Sequence, residues 1–92
     1  MRITAELLQE HGACRPMVRR FRHLFPKRKY PNGVVLTVTL AKKYWREFLI
    51  PSWIVENLFT CKLRGLYWNT MWGMSCRERW LIIARLSKHI PN

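Results

Sequence analysis

The sequence predicts an all-α domain: a compact bundle of four to five short helices, with room for one minor extended segment or hairpin. Three observations lead there. Apolar residues recur at helical spacing in several separate windows. Ser and Thr residues able to cap a helix stand just before such windows, and Pro or Gly residues stand at their ends. The 92-residue chain is also 49% apolar and holds five Trp, three Tyr and four Phe, enough large apolar surface to order one small domain over residues 1–92.

Each element follows in order. "ITAELLQEHG" predicts a first helix, with Thr4 as N-cap, Glu6 at the positive end of the helix dipole and Gly12 in the left-handed position after the last turn. Pro16 then opens a second helix as its first residue, with Met17, Val18, Phe21, Leu24 and Phe25 on one face and Pro26 as its stop. "PKRKYPNG" is a loop, and "VVLTV" is a short strand or an extended lead-in. Thr37 or Thr39 caps a third helix with Leu40, Ala41, Tyr44, Trp45, Phe48 and Leu49 on its apolar side. Pro51 ends that helix or opens the next, whose stripe is Trp53, Ile54, Leu58 and Phe59. "CKLRGLYWNTMWGM" fits a helix or irregular coil better than a tight hairpin. Ser75 and Glu78 form a capping box for a last helix that carries Trp80, Ile83, Ala84 and Leu86 and ends near Ile90-Pro91.

Charge is the strongest global signal. The chain has 17 Lys plus Arg against five Glu and no Asp, for a net charge of +12. A small domain usually carries a magnitude of about 2–8, and a larger excess strains the compact state by self-repulsion. That excess points to a polyanionic partner: DNA, RNA, a nucleoprotein or an acidic protein surface. It concentrates in "CRPMVRRFRHLFPKRK", residues 14–29, which holds seven Lys or Arg and no acid. On a helical wheel Arg15, Arg19, Arg22 and His23 gather opposite Phe21 and Leu24, with Arg20 at the flank, and Lys27, Arg28 and Lys29 continue the charge past the helix end. Arg offers phosphate and carboxylate a bidentate fork that Lys lacks. Lys42, Lys43 and Arg46 extend this patch if the third helix packs beside the second.

A second pattern interleaves cations with aromatics in "KKYWR", "KLRGLYW" and "CRERW". An exposed Trp beside Arg can stack on a base while the cation holds a phosphate. At helical spacing Trp45, Trp53 and Trp80 read as core. Trp68 and Trp72 lie in the Gly-flanked segment and are the candidates for a functional contact.

The residues Leu7, Leu8, Gly12, Ala13, Cys14, Phe21, Phe25, Pro26, Gly33, Thr37, Ala41 and Trp53 form an outline over residues 3–59. That outline resembles a short helical module of phage and bacterial mobile-element proteins, with 60–92 as a C-terminal helical extension. The resemblance implies a packing scaffold and carries over no catalytic residue. Members of that module are usually acidic or mixed in charge after the Thr and before the Trp. Here those places hold Val38, Thr39, Leu40, Pro51 and Ser52.

Other chemistries find little footing. No Gly-rich phosphate loop, nucleophile elbow or acidic pair is present, and the three scattered His read as surface or capping residues, so no enzyme activity and no cofactor is expected. His11, Cys14, Cys61 and Cys76 lack the tight pairs of a structural zinc site, so no metal is expected and the cysteines read as buried apolar residues. The odd cysteine count, the lack of an 18-residue apolar run and the polar N-terminus point to a reduced, cytoplasmic setting without a signal peptide or membrane span. The second helix is cationic and amphipathic, as a membrane-surface helix is, but the other apolar faces are there to cover it. The expectation is a small, basic, non-catalytic binding protein of phage or mobile-element type that presents an Arg-rich helix to nucleic acid or a nucleoprotein. The alternative is a protein inhibitor of a host enzyme or defence complex, anti-CRISPR-like, which needs an exposed apolar anchor such as Trp68 or Trp72.

Overall fold

The computed structural model describes residues 1–47 and 51–90. In chain order it contains β1 (Arg2–Ile3), α1 (Ala5–Glu10), α2 (Arg15–Leu24), β2 (Val34–Val35), α3 (Val38–Tyr44), α4 (Pro51–Leu58), α5 (Cys61–Thr70) and α6 (Cys76–Leu86), followed by a 3-10 turn at Ser87–His89. The predicted all-helical class holds, with six helices among the described residues.

Four of the helices begin where a hydroxyl accepts an otherwise orphaned backbone N–H. Thr4 Oγ1 accepts from Leu7 at 3.0 Å, Thr37 Oγ1 from Leu40 at 3.1 Å and Thr60 Oγ1 from Leu63 at 3.3 Å. At α6 Ser75 Oγ accepts from Glu78 N, and the Ser75 N–H donates back to Glu78 Oε1, each at 3.3 Å. Thr37 rather than Thr39 therefore caps α3.

The core centres on α6. Trp80, Ile83 and Ala84 are all but completely buried, and α3, α4 and α5 each pack on this helix. The segment 60–74 is helical through Gly65, with Leu63 and Tyr67 turned inward, and the hairpin alternative is excluded. Trp45 and Trp53 are half-buried against the core rather than within it, while Val55, absent from the predicted stripe, is fully buried. Pro51 opens α4, one of the two expected placements. Two boundaries differ from expectation: α2 starts at Arg15, which puts Pro16 second, and α6 gives way to the 3-10 turn after Leu86. Phe48 and Leu49, expected on the third helix, and Pro91, expected at the chain's last helical end, lie outside the described residues.

The extended segment has a partner remote in sequence. β1 and β2 pair antiparallel, with Arg2 opposite Val35 and Ile3 opposite Val34. The pairing continues where Leu36 N–H donates to Met1 O at 3.0 Å. Ser87, fully buried, locks this ribbon to the end of α6. Its hydroxyl lies 2.8 Å from Ala84 O and 3.2 Å from Leu36 O, and its carbonyl accepts from Met1 N at 3.2 Å.

Gly33 leads into β2 with φ +75°, and a Cβ there would collide with the Ile3 carbonyl and stand 2.7 Å from Thr4 Cγ2. Gly12 has φ +81° but open space where its Cβ would be. Gly12→Ala should therefore cost only the left-handed strain of about 1–2 kcal/mol, whereas Gly33→Ala should cost clearly more because strand pairing must also yield. Thermal unfolding followed by circular dichroism separates them, since each kcal/mol moves Tm by about 4–8 °C in a domain of this size. Equal shifts would show that the close approach at Ile3 does not constrain the fold.

Candidate functional site

The site is built from the turn between α1 and α2. Gly12 N–H donates to Gln9 O at 3.1 Å and Ala13 N–H donates to Leu8 O at 2.9 Å. With His11 as C-cap and Gly12 left-handed, these two bonds form a Schellman motif, which ends α1 and sends the chain straight into α2. The two helices pack on each other. Val18 and Phe21 fix the buried side of α2, with Met17 and Leu24 half-buried beside them. Arg15, Arg19, Arg20, Arg22 and His23 are left exposed.

Three of those arginines converge. Between α1 and α2 lies an open groove of about 460 Å³, walled by Arg15, Arg19 and Arg22 on α2 and by Gln9 on α1, with Ala13 and Val18 at its base. No carboxylate lines it. Successive turns of α2 supply the arginines at i, i+4 and i+7, so their forks stand one above another along one wall. Arg22 also borders a second groove of about 340 Å³, where it meets Glu6, Lys27, Phe25 and Tyr30. Arg20 lies outside both grooves.

Past α2 the chain turns on Pro26, whose carbonyl accepts from Lys29 N–H at 3.0 Å and Tyr30 N–H at 2.9 Å. Lys27, Arg28 and Lys29 are exposed on this turn. Lys27 Nζ stands 3.5 Å from Glu6 Oε1, the single ion pair among the described residues. Glu6 is held below the ordinary carboxylate value of 4.5, chiefly by a backbone N–H; desolvation opposes this, and Lys27 and Arg22 add to the lowering. The sequence reading missed Glu6, Gln9 and Tyr30, which reach the site only through packing of α1 and the loop against α2.

The other predicted residues are scattered. α3 lies along α6 rather than along α2 and meets the end of α2 through the Phe25 and Tyr44 rings, 5.1 Å apart. Lys42, Lys43 and Arg46 are exposed but border neither groove, so the condition for extending the patch is not met. Lys43 sits 5.3 Å from the Tyr44 ring centre and Arg46 5.0 Å from that of Trp45, cation–π contacts made within one segment. Trp68 is half-buried, edge-on to Tyr67 at 5.2 Å, whereas Trp72 is 75% exposed on the α5–α6 loop. The cysteines overturn their expected burial. All three are exposed, Cys14 as the N-cap of α2 and Cys61 and Cys76 as the first residues of α5 and α6. Among the described residues no group of His, Cys, Asp or Glu is placed to hold a metal ion, and no helix is long and apolar enough to cross a membrane.

No family model, curated protein or solved structure matches this chain.

The start of α2 lacks the side-chain cap kept at α1, α3, α5 and α6. Cys14 makes no side-chain capping bond, no acid stands in the first turn, and Arg15 places a cation at the positive end of the dipole. Arg15→Glu should therefore stabilise the protein, by about 0.3–1 kcal/mol, and the same change at mid-helix Arg20 should do less; thermal melts at low salt measure both. The carboxyl of Glu6 yields a second check. Because its folded value is lowered, it contributes stability above 4.5 that is lost as pH falls through that folded value. Lys27→Ala should move the Glu6 titration upward in a carboxyl NMR titration yet leave it below 4.5, since the backbone N–H remains. An unmoved midpoint would mean that the ion pair does not form in solution.

Proposed function

We propose that the chain is a small non-catalytic binding protein that uses the arginine wall of α2 to hold nucleic acid or the nucleic-acid part of a nucleoprotein. The observation that carries this is the groove itself: three exposed arginines along one wall, none of them ion-paired among the described residues, with no carboxylate in the lining. A solvated helix face needs charge for solubility only, and interspersed acids would provide it with less repulsion. Arg15, Arg19 and Arg22 make the central contacts. Arg20, Arg28 and Lys29 line neither groove and add charge from outside them, and Lys27 contributes once its bond to Glu6 is exchanged. The resemblance to a phage and mobile-element module supports a protein of that kind, working on nucleic acid in the cytoplasm.

A second reading rests on Trp72. A Trp left three-quarters exposed on a loop is a common kind of anchor for protein docking, and it supports an inhibitor that docks on a host enzyme or defence complex, anti-CRISPR-like. Half-buried Trp68 supports it less.

Binding to generic DNA and RNA across a salt series tests the first reading. Log–log slopes of about −0.9 per neutralised duplex phosphate or −0.7 per single-strand phosphate are expected. Arg19→Glu combined with Arg22→Glu should abolish binding and leave the circular dichroism helical. No binding at roughly 50 mM salt, where phosphate contacts are strong, sinks the nucleic-acid reading and leaves docking through Trp72.

A further inference from the structure

The geometry points to a single nucleic-acid strand, rather than a duplex, as the ligand of the α2 grooves. This rests on the nucleic-acid reading of the same site and narrows it. The argument begins with where the arginines face. They do not crown a free-standing helix. They line the side of α2 that looks across to α1, and Gln9 stands on the opposite wall. A lone helix with its side chains is about 10–12 Å across and fits a major groove about 12 Å wide. Here α2 packs on α1, and the arginines face a groove shared with Gln9 rather than the outward side that a recognition helix presents to a major groove. A paired duplex keeps its base edges inside its grooves, whereas an unpaired strand can offer base edges to Gln9 and phosphates to the arginines together. A single strand has a backbone narrow enough to lie between the walls.

The two grooves give such a strand a path. They share Arg22, which stands between the first, with Arg15 and Arg19, and the second, with Lys27 and Tyr30. The cations along this path offer phosphate contacts. Tyr30 offers an aromatic surface: it is 36% exposed, and its ring is braced edge-on against buried Phe25 at 5.3 Å and 90°. A braced, partly open ring beside cations is what base stacking uses, and stacking is indifferent to sequence because every base has a face. Gln9 has both donor and acceptor on its amide and can meet an unpaired base edge. Glu6 is the one acid on the path, and while Lys27 is paired with it the phosphate contacts fall to the arginines.

The test uses the full chain with a fluorescently labelled mixed-sequence strand of about ten nucleotides, as RNA and as DNA, and the matching duplex, since single-strand sites span about 4–16 nucleotides. At low salt the single strand should bind about tenfold or more tightly than the duplex. Tyr30→Leu should weaken the single strand about tenfold, as expected for one lost base stack, with Tyr30→Phe restoring it and duplex binding unchanged by either. Circular dichroism controls for folding, and the Phe variant keeps the test decisive because it preserves the packing on Phe25. Duplex binding as tight as single-strand binding, or Tyr30→Leu acting equally on both, overturns the single-strand inference while the broader nucleic-acid reading stands. Binding of neither form overturns both.

Discussion

The fold depends on burial of the α6 seam. Helices of six to eleven residues are too short to persist alone, since isolated helices below about 12–15 residues are marginal in water. Each survives here because its apolar face is covered. α3, α4 and α5 are covered on α6, against Trp80, Ile83 and Ala84. The end of α6 then places what α6 does not touch. Buried Ser87 takes hydrogen bonds to both Met1 and Leu36, which brings β1 and β2 to that end. Thr4 caps α1 one residue after β1, and the Schellman turn at Gly12 delivers α2 alongside α1. The arginine wall is therefore positioned by a chain of constraints that starts in the core, well away from any charge.

The charge has to be reconciled with that compactness. A net charge of +12 on 92 residues works against folding. The molecule limits the cost by keeping the described Lys and Arg residues exposed or only half-buried, where water and salt screen them. It also rests Lys43 and Arg46 over neighbouring rings. It makes little use of ion pairing: one Glu–Lys contact is exposed on both sides and is worth little to stability. Of the arginines of the α1–α2 groove, Arg22 is near Glu6, whereas Arg15 and Arg19 make no ion pair among the described residues.

How much of this was legible in the sequence depended on range. Caps are local, and Thr4, Ser75, Glu78 and Gly12 could be read directly because each acts on residues within four positions. The amphipathic split of α2 was legible for the same reason: 3.6-residue spacing alone puts Arg15, Arg19 and Arg22 on one side and Phe21 on the other. What joins distant segments was not. "VVLTV" gave no sign that its partner would be Arg2–Ile3, since two-residue strands carry no alternation to match. Glu6, Gln9 and Tyr30 look like ordinary surface residues until α1 and the 26–33 loop fold against α2. The cysteines were misread because small sulfur side chains are usually buried, while here each takes a helix start, a place set by caps and turns rather than by the core. Trp68 and Trp72 lie four residues apart on either side of a helix end. The helix turns the first toward Tyr67, and the loop leaves the second in water, a distinction that needs the boundary at Thr70 to be known.

At the start of α2 local preference and the fold disagree. Across α1, α3, α5 and α6 a Ser or Thr caps the helix, and at α1 and α6 an acid also stands in the first turn. Local preference and global fold agree there, as they do in sequences tuned for stability. At α2 they part. An unbonded Cys14 holds the cap position, and Arg15 sets a cation where the dipole favours an anion. Nothing in the packing demands this, because both side chains are exposed and a Ser followed by a Glu would fit the same backbone. Four helices keep a Ser or Thr side-chain cap and α2 does not, so Arg15 sits where neither the cap nor the packing of α2 requires a cation. Under the nucleic-acid reading proposed above, a phosphate held by Arg15 would supply the negative charge that the first turn of α2 lacks.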